Sequence, residues 1–377
     1  MTTRALLSLV ALLLFSGAVS AQEEEPAEPV VVPASGPSIR LEGQLQLQVS
    51  STSVDSAIGW DADLRRWRLS AVGEAGNGFT GILQAEFDGS RARVRDAFVD
   101  WTATPVLTIR AGQFKVPFNA VEMVSSKRLL VIERGARIRG LPALTTSTAL
   151  VAERLAGRSR GFMGIARLAD ERLNVHAGGW LGSGEAGEDD EGKELAARVE
   201  LAVLPRTEER PRPLLLSLAA ITNGYFGEPR VALLVAGPDS LELDDPRYAT
   251  AFEAAVEYGD YQVPGLHVLA NVITGDNPAS FRIESDDLEF ASFLGLQAWG
   301  EYEIPVSGLV TAVAPAFRID RYDPDSDAED DAVLLLTPGV NLYLGRNVKA
   351  QVNLDVLVPQ DELDSESALR FQSQVLF

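Results

Sequence analysis

The sequence predicts an all-β, transmembrane, antiparallel up-and-down β-barrel of about sixteen strands. Three observations predict it: an export signal, an alternation of hydrophobic and polar residues along most of the chain, and connections between strands that are mostly short after one strand and long after the next. No apolar run after the signal approaches the roughly 20 residues that a spanning helix needs. The hydrophobic residues, 46% of the chain, must therefore be distributed along strands.

The amino-terminal segment is typical of an export signal. A short apolar run follows Arg4, and small residues lead to a cleavage site after Ala21. We therefore expect residues 1–21 to be a signal peptide that is removed. The acidic, proline-rich residues 22–37 predict an extended periplasmic linker. The barrel is expected over residues 38–377.

The composition excludes several classes of function. The formal charge is −21, from 54 acidic and 33 basic residues, and a surface of this sign repels the anionic backbone of nucleic acids. The 377 residues include no cysteine, so disulfides, thiolate metal ligands and cysteine nucleophiles are impossible. Neither nucleic-acid binding nor cysteine chemistry is expected.

Hydrophobic and polar residues alternate with a period of two from residue 38 onward. In the first segment Ile39, Leu41 and Leu45 share one parity, and polar residues share the other. This pattern is typical of a strand with one apolar face. It predicts strands near 39–49, 60–74, 78–88, 91–102, 106–114, 159–168, 172–181, 194–204, 213–223, 248–258, 262–273, 290–302, 307–320, 332–344, 347–357 and 367–377.

The connections between these strands favour a membrane barrel over a soluble sandwich. Most connections after even-numbered strands are short turns, and most after odd-numbered strands are long loops, including 115–158, 224–247 and 274–289. Short periplasmic turns and long external loops are typical of outer-membrane barrels. The last strand must pair with the first, because open edges are not tolerated in hydrocarbon. Aromatic residues near strand ends are expected in the interfacial girdles, namely Trp60, Trp101, Trp180, Tyr258, Tyr302 and Tyr343.

Several segments carry a resemblance to a known family. The strand at 96–101 (DAFVDW), the turn at 112–118 (GQFKVPF) and the segment from Ser125 to Arg134 together resemble the phosphate-selective porin O and P family. Further segments that fit this family are 65–69, 157–161, 182–184, 197–205, 337–344 and 369–377.

The resemblance implies a sixteen-stranded porin, usually a homotrimer, in the outer membrane of a Gram-negative bacterium. Such a porin passes small anions such as phosphate by diffusion, and its long third loop, here 115–158, folds into the lumen as a constriction. The other expected partners are outer-membrane lipids, lipopolysaccharide and the barrel-assembly machinery, for which Phe377 looks like the recognition signal. No cofactor and no enzymatic activity are expected.

Strand parity and the loop sequence give candidate pore-lining, anion-binding residues, because rings of charge on lumen-facing positions select ions. The strand candidates are Arg66, Arg68, Arg318, Lys349 and Arg370, and the loop candidates are Lys115, Lys127, Arg128 and Arg134, followed by Arg137 and Arg139. Three further arginines, Arg91, Arg93 and Arg95, have lipid-facing parity. Either a bulge intervenes there or these arginines lie above the membrane.

Acidic residues leave other functions open. The lumen-facing parity of Glu253, Glu257, Glu301 and Asp355 allows a general or cation-leaning porin, and a structural or adhesive barrel is a further alternative. A hydrolase is not expected, because neither of the 2 histidines has a partner in sequence that identifies a triad. The acidic segment 323–334 departs from a calcium loop at its sixth and twelfth positions, so no metal site is expected.

Overall fold

The computed structural model describes residues 37–54, 57–88, 91–135, 145–181, 193–225, 247–261, 263–284, 287–360 and 365–377. The expected signal peptide and the linker up to residue 36 lie outside the described residues, as do the loop candidates Arg137 and Arg139.

Within the described residues, antiparallel strands form one closed sheet. In chain order they are β1 (Ser38–Val54), β2 (Ala57–Gly76), β3 (Phe79–Asp88), β4 (Arg91–Thr104), β5 (Leu107–Lys115), β6 (Arg158–Leu168), β7 (Leu173–Trp180), β8 (Glu194–Leu204), β9 (Leu214–Tyr225), β10 (Arg247–Tyr258), β11 (Leu266–Glu284), β12 (Asp287–Tyr302), β13 (Ala312–Asp323), β14 (Val333–Tyr343), β15 (Val348–Pro359) and β16 (Glu366–Leu376). The pair Ile304–Pro305 extends β12 along β13. Each strand pairs with the next, and β16 pairs with β1. The predicted 16-stranded antiparallel barrel is confirmed.

The barrel closes where β16 meets β1. The backbone N–H of Gly43 donates to the carbonyl of Phe377 at 2.6 Å, and that of Phe377 donates to the carbonyl of Gly43 at 3.2 Å. The Phe377 ring covers Gly43, where an added Cβ would lie 2.2 Å from a ring carbon. Closure leaves no row of unpaired backbone groups between the first and last strands, as hydrocarbon requires.

The period of two in the sequence separates a lipid-facing surface from a lumen-facing one. In β2, Trp67 and Leu69 are 40% and 43% exposed, whereas Arg66 and Arg68 are 5% and 6% exposed. Apolar side chains thus cover the outside of the wall, and polar side chains are directed inward.

The predicted aromatic girdle is correct only in part. Trp60, Trp101 and Tyr302 are exposed outer residues. Trp180, however, is 3% exposed and belongs to a buried cluster in the lumen. Tyr343 also turns inward, since its hydroxyl bonds to a lumen carboxylate. The prediction used position along the strand and ignored parity, which places Trp180 and Tyr343 on the inner face.

Two bulges change the direction of arginine side chains. In β2 the register shifts between the pairs Gln46↔Arg66 and Leu47↔Leu64, which leaves Arg65 as the extra residue. In β4 a similar shift leaves Arg95 without a partner position on β3. A bulge re-aims the side chain that it carries. Of the two alternatives for Arg95, the bulge therefore applies.

The predicted external loop 274–289 is wrong. Strands β11 and β12 continue as a paired hairpin to Glu284 and Asp287, with one irregularity between Asn277 and Phe281. A strand that projects beyond the hydrocarbon does not need an apolar face. The hydrophobic alternation therefore fades there although the backbone ladder continues.

The segment between β5 and β6, residues 116–157, is termed the third loop. Its described residues, 116–135 and 145–157, fold into the barrel and contain α1 (Ala120–Met123), a single 3₁₀ turn (Ser126–Arg128) and α2 (Thr146–Ala152). Among the described residues, no helix combines the length and the apolar character that crossing a membrane requires.

Candidate functional site

One side of the third loop is apolar and packs against the inner wall. Leu129, Leu130 and Val131 form a buried cluster with Leu269 of β11 and Trp299 of β12. A second buried cluster joins α2 to the wall and includes Phe118, Leu150, Ile221, Ile273 and Phe293. Apolar side chains therefore fill the space between these parts of the third loop and the wall.

Polar side chains near the short-turn end of the barrel hold the backbone of the third loop. Lys349 Nζ donates to the carbonyl of Leu129 at 2.8 Å, and Asn341 Nδ2 donates to the carbonyl of Leu130 at 2.8 Å. These bonds satisfy backbone groups that the loop buries inside the barrel. Lys349, a predicted pore-lining residue, thus binds the loop.

Glu133 of the third loop is held by two wall arginines. Arg65 Nε and Nη2 donate to the two oxygens of its carboxylate at 2.5 and 3.0 Å, and Arg66 Nη2 donates to Oε2 at 3.0 Å. Burial alone would raise the pKa of Glu133, but the charges of Arg66 and Arg65 outweigh burial and hold that pKa far below its usual range. The carboxylate is therefore a fixed negative charge inside the arginine cluster.

Arg318 lies at the centre of a buried ionic network. Its Nη2 donates to Asp355 Oδ1 at 2.7 Å, and its Nη1 donates to the carbonyl of Glu133 at 2.5 Å. Arg370 Nε donates to the other Asp355 oxygen at 2.7 Å. With an exposed fraction of 1%, Arg318 connects the wall to the loop and is covered by both.

Three further candidates make structural contacts with the loop. Arg68 donates to Glu86 and to Ser126 of the loop. Lys115 Nζ donates to the backbone carbonyls of residues 122 and 124. Arg134 donates to the carbonyls of residues 121 and 124 and lies 3.6 Å from the carboxylate of Glu122. Burial, as the largest cause, lowers the pKa of Arg134 below its usual value.

The 3₁₀ turn carries the other two candidates toward the short-turn end of the barrel. Lys127 Nζ lies 2.8 Å from a carboxylate oxygen of Glu42 near the start of β1. Arg128 is exposed, and its guanidinium carbon lies 5.6 Å from the ring centre of Tyr261, in the turn between β10 and β11. The loop therefore reaches from its entry at β5 to the turns at the short-turn end.

A cavity of about 610 Å³ lies between the third loop and the wall. Seven arginines line it: Arg65, Arg66, Arg95, Arg134, Arg154, Arg158 and Arg370. Five acidic residues also line it: Asp61, Asp63, Glu122, Glu133 and Glu194. The lining therefore carries a formal excess of positive charge although the whole chain is acidic.

The arginines that line the cavity include predicted pore-lining residues and others that were not predicted. Three predicted residues line it: Arg66, Arg134 and Arg370. Arg65 lies at a bulge that parity does not predict, and Arg95 lies at a bulge that is one of the two alternatives given by its parity. Arg158, whose guanidinium forms a two-point contact with Asp96 at 2.8 and 2.9 Å, was treated only as the end of the loop.

The acidic residues with lumen-facing parity are used in polar networks. Glu253 is 3% exposed and accepts from Arg198 Nη1 at 2.8 Å and from the backbone of α1 at 2.6 Å. Glu301 accepts from Asn341 and Tyr343. Within the described residues no cluster of histidine and acidic side chains forms a metal site.

The histidines do not form a catalytic arrangement with a nucleophile. His267 Nε2 lies 2.9 Å from Glu257 Oε1, and His176 Nε2 lies 4.0 Å from Glu200. A hydrolase would need a nucleophile or an activated water beside such a base. Neither of these pairs contains a serine or threonine hydroxyl.

Solved structures with a similar fold include outer-membrane proteins. The anion-selective porin from Comamonas acidovorans aligns with a TM-score of 0.62 at 14% identity, over 90% of this chain and 100% of that chain. The outer membrane channel DcaP of Acinetobacter baumannii aligns with a TM-score of 0.59 at 11% identity, over 92% and 99%. The trimer form of OmpT of Vibrio cholerae aligns with a TM-score of 0.56 at 11% identity, over 91% and 100%.

The comparison of the sequence with protein families also points to a porin. No curated protein matches the chain. The sequence model of the family "Phosphate-selective porin O and P" matches residues 39–217, from β1 into β9. This match confirms the resemblance seen in the sequence. The described residues thus form a porin-like barrel, and residues 39–217 match the phosphate-selective porin O and P family.

Proposed function

We propose that the barrel forms a water-filled channel through which small anions such as phosphate diffuse across the outer membrane. The observation that carries the proposal is the arginine-lined cavity between the third loop and the wall. Anions entering from the external side meet seven guanidinium groups against five carboxylates there. Charged lining residues of this kind select ions in wide channels.

The contacts of these arginines favour passage over tight binding. Arg65, Arg66 and Arg370 already donate to carboxylates of the protein, so each has only part of its donor capacity left for a solute. The neighbouring carboxylates also weaken the attraction of an anion. A solute is therefore expected to make several partly hydrated contacts and to leave readily, as conduction requires.

The assembly and partners proposed here follow from the family and the fold. We expect a homotrimer, as in the trimer form of OmpT, and a lipid-facing surface that contacts outer-membrane lipids and lipopolysaccharide. Insertion is expected to depend on the barrel-assembly machinery. Export by the signal peptide, residues 1–21, and a periplasmic position for the linker, residues 22–37, remain parts of the same proposal.

Reversal potentials in a planar bilayer under a potassium chloride gradient test the proposed selectivity. We expect a potential of the sign that chloride preference gives. The double substitution Arg66→Gln and Arg370→Gln should shift it toward cation preference, because both residues line the cavity. The matched control, Arg206→Gln with Arg210→Gln, removes two exposed charges from the turn between β8 and β9 and should leave the potential unchanged.

Other outcomes of this measurement favour the alternatives. Clear potassium preference of the unmodified channel would refute the anion proposal and favour a cation-leaning porin, for which the exposed cavity residues Asp61 and Asp63 would be the first candidates. Equal permeability would favour a general porin. A folded barrel without conductance would favour a structural or adhesive role.

A further inference from the structure

Glu194 differs from the other buried carboxylates of the lumen. It is the first residue of β8, is 2% exposed, and lines the cavity on the wall of β6 to β9. Its Oε1 has no hydrogen-bond partner. Glu253 and Asp355 are buried to a similar degree, but each accepts a hydrogen bond from an arginine. Glu194 forms no ion pair with any described residue.

The neighbours of Glu194 supply no positive charge to its carboxylate. In the sheet it lies between Trp180 of β7 and Asn223 of β9, and Ser159 lies beside its carboxylate. Two more buried polar atoms in this row, Trp180 Nε1 and Asn223 Oδ1, are also without partners. Lys193 precedes Glu194 on the opposite face and is exposed.

The Oε1 atom of Glu194 is therefore a strong hydrogen-bond acceptor without a donor. A buried carboxylate without a cationic partner is destabilising, because its charge has lost its hydration and gains no compensating ion pair. Folding retains such a group at low cost only when a ligand or a proton neutralises it. Glu194 lines the same cavity as the arginines, so the lining presents both a cationic region and one acidic acceptor without a partner.

We propose that the cavity recognises small dipolar solutes, in which an anionic phosphate or carboxylate group binds the arginines and an ammonium group binds Glu194. This inference rests on the proposed anion channel and adds a solute class to it. The ammonium group donates to Oε1 and neutralises the buried carboxylate. A hydroxyl group in place of the ammonium donates one hydrogen bond but brings no charge.

The test compares two solutes that share a phosphate group and differ at the other end. Phosphoethanolamine and ethylene glycol monophosphate are added to single channels, and the concentration that half-blocks chloride current is measured. Net charge alone favours the glycol compound, which is the more negative at neutral pH. We expect phosphoethanolamine to block about tenfold more tightly. Equal block, or tighter block by the glycol compound, overturns the inference.

A pair of charge-removing variants assigns the preference to Glu194. Glu194→Gln should abolish the preference for phosphoethanolamine, whereas Asp61→Asn, which removes a carboxylate from another part of the cavity lining, should keep it. Retention of the preference in Glu194→Gln also overturns the assignment. Heat-modifiable migration in gels verifies that each variant is folded, and the comparison of solutes on the unmodified channel needs no variant. Clear potassium preference in the reversal potential of the unmodified channel would mean that the proposed anion channel itself fails, which is a distinguishable result.

Discussion

Glu133 of the third loop and Arg66 of β2 form an ion pair of 3.0 Å inside the arginine cluster, and Arg65 holds the same carboxylate. The loop thus places a carboxylate of its own where the wall offers guanidinium groups. Glu133 both docks the loop and reduces the positive charge that an incoming anion meets. Removing this charge should separate the two effects.

Glu133→Gln should raise the anion preference of the channel. The amide no longer neutralises Arg65 and Arg66, so the ratio of chloride to potassium permeability should increase about two- to fivefold, equivalent to roughly 0.5–1 kcal/mol. Reversal potentials measure the ratio. The control is Glu122→Gln, which removes a charge from the same cavity but leaves Arg65 and Arg66 paired. An equal increase in the control would show that net charge, and not the pairing with Glu133, sets the ratio.

The depressed pKa of Glu133 gives a prediction about pH. A carboxylate whose folded-state pKa lies below its ordinary value stabilises the docked loop fully above that ordinary value, 4.5, and loses this contribution only as pH falls through the lower folded-state value. Loop docking by Glu133 should therefore be constant from neutral pH down to about pH 5. The contribution of Glu133 is measured as the difference between the reversal potentials of the unmodified channel and of Glu133→Gln at each pH. If the two channels became alike near pH 6, the prediction would be wrong.

Arg318 should contribute to stability more than to permeation. It is buried between Asp355 and the loop carbonyl of Glu133, so Arg318→Met leaves buried acceptors without a donor. Breaking a buried pair in this way costs about 3–5 kcal/mol. Denaturant unfolding in lipid vesicles measures the change in the free energy of unfolding. Arg318→Lys, which keeps the charge, should lose less, and a loss under about 1 kcal/mol in Arg318→Met would contradict the assignment.

The sequence predicted the strands well because the bilayer imposes a period of two on both faces of the wall. Trp67 and Leu69 alternate with Arg66 and Arg68 as expected. The prediction failed at 274–289, where strand residues project beyond the hydrocarbon and alternation is no longer required. The parity of Trp180 along β7 also indicates that this side chain faces inward, whereas the prediction of an aromatic girdle depends only on its position near the strand end.

The candidate site was less predictable than the fold for two physical reasons. Parity assumes a regular ladder, so it does not predict the bulge at Arg65 and leaves the bulge at Arg95 as one of two alternatives. Charge alone also does not reveal what a cation binds. Lys115 and Lys349 were expected to face passing anions, but their ammonium groups donate to loop carbonyls. Such contacts depend on how the third loop crosses the lumen, and no local pattern encodes that path.

Substitutions of the loop cations should therefore divide into two classes. Arg128 is exposed near the short-turn end, and its guanidinium lies near the ring of Tyr261, so Arg128→Glu should lower anion preference while the barrel remains equally stable. Lys115 donates to two carbonyls of the loop, so Lys115→Glu should release that part of the loop, because a carboxylate repels carbonyl oxygens. Unfolding experiments and the noise of single-channel current measure the difference. Since both substitutions change the charge by the same amount, identical effects on selectivity and noise would mean that only net charge matters. A selective increase in noise for Lys115→Glu would instead show that this lysine positions the loop.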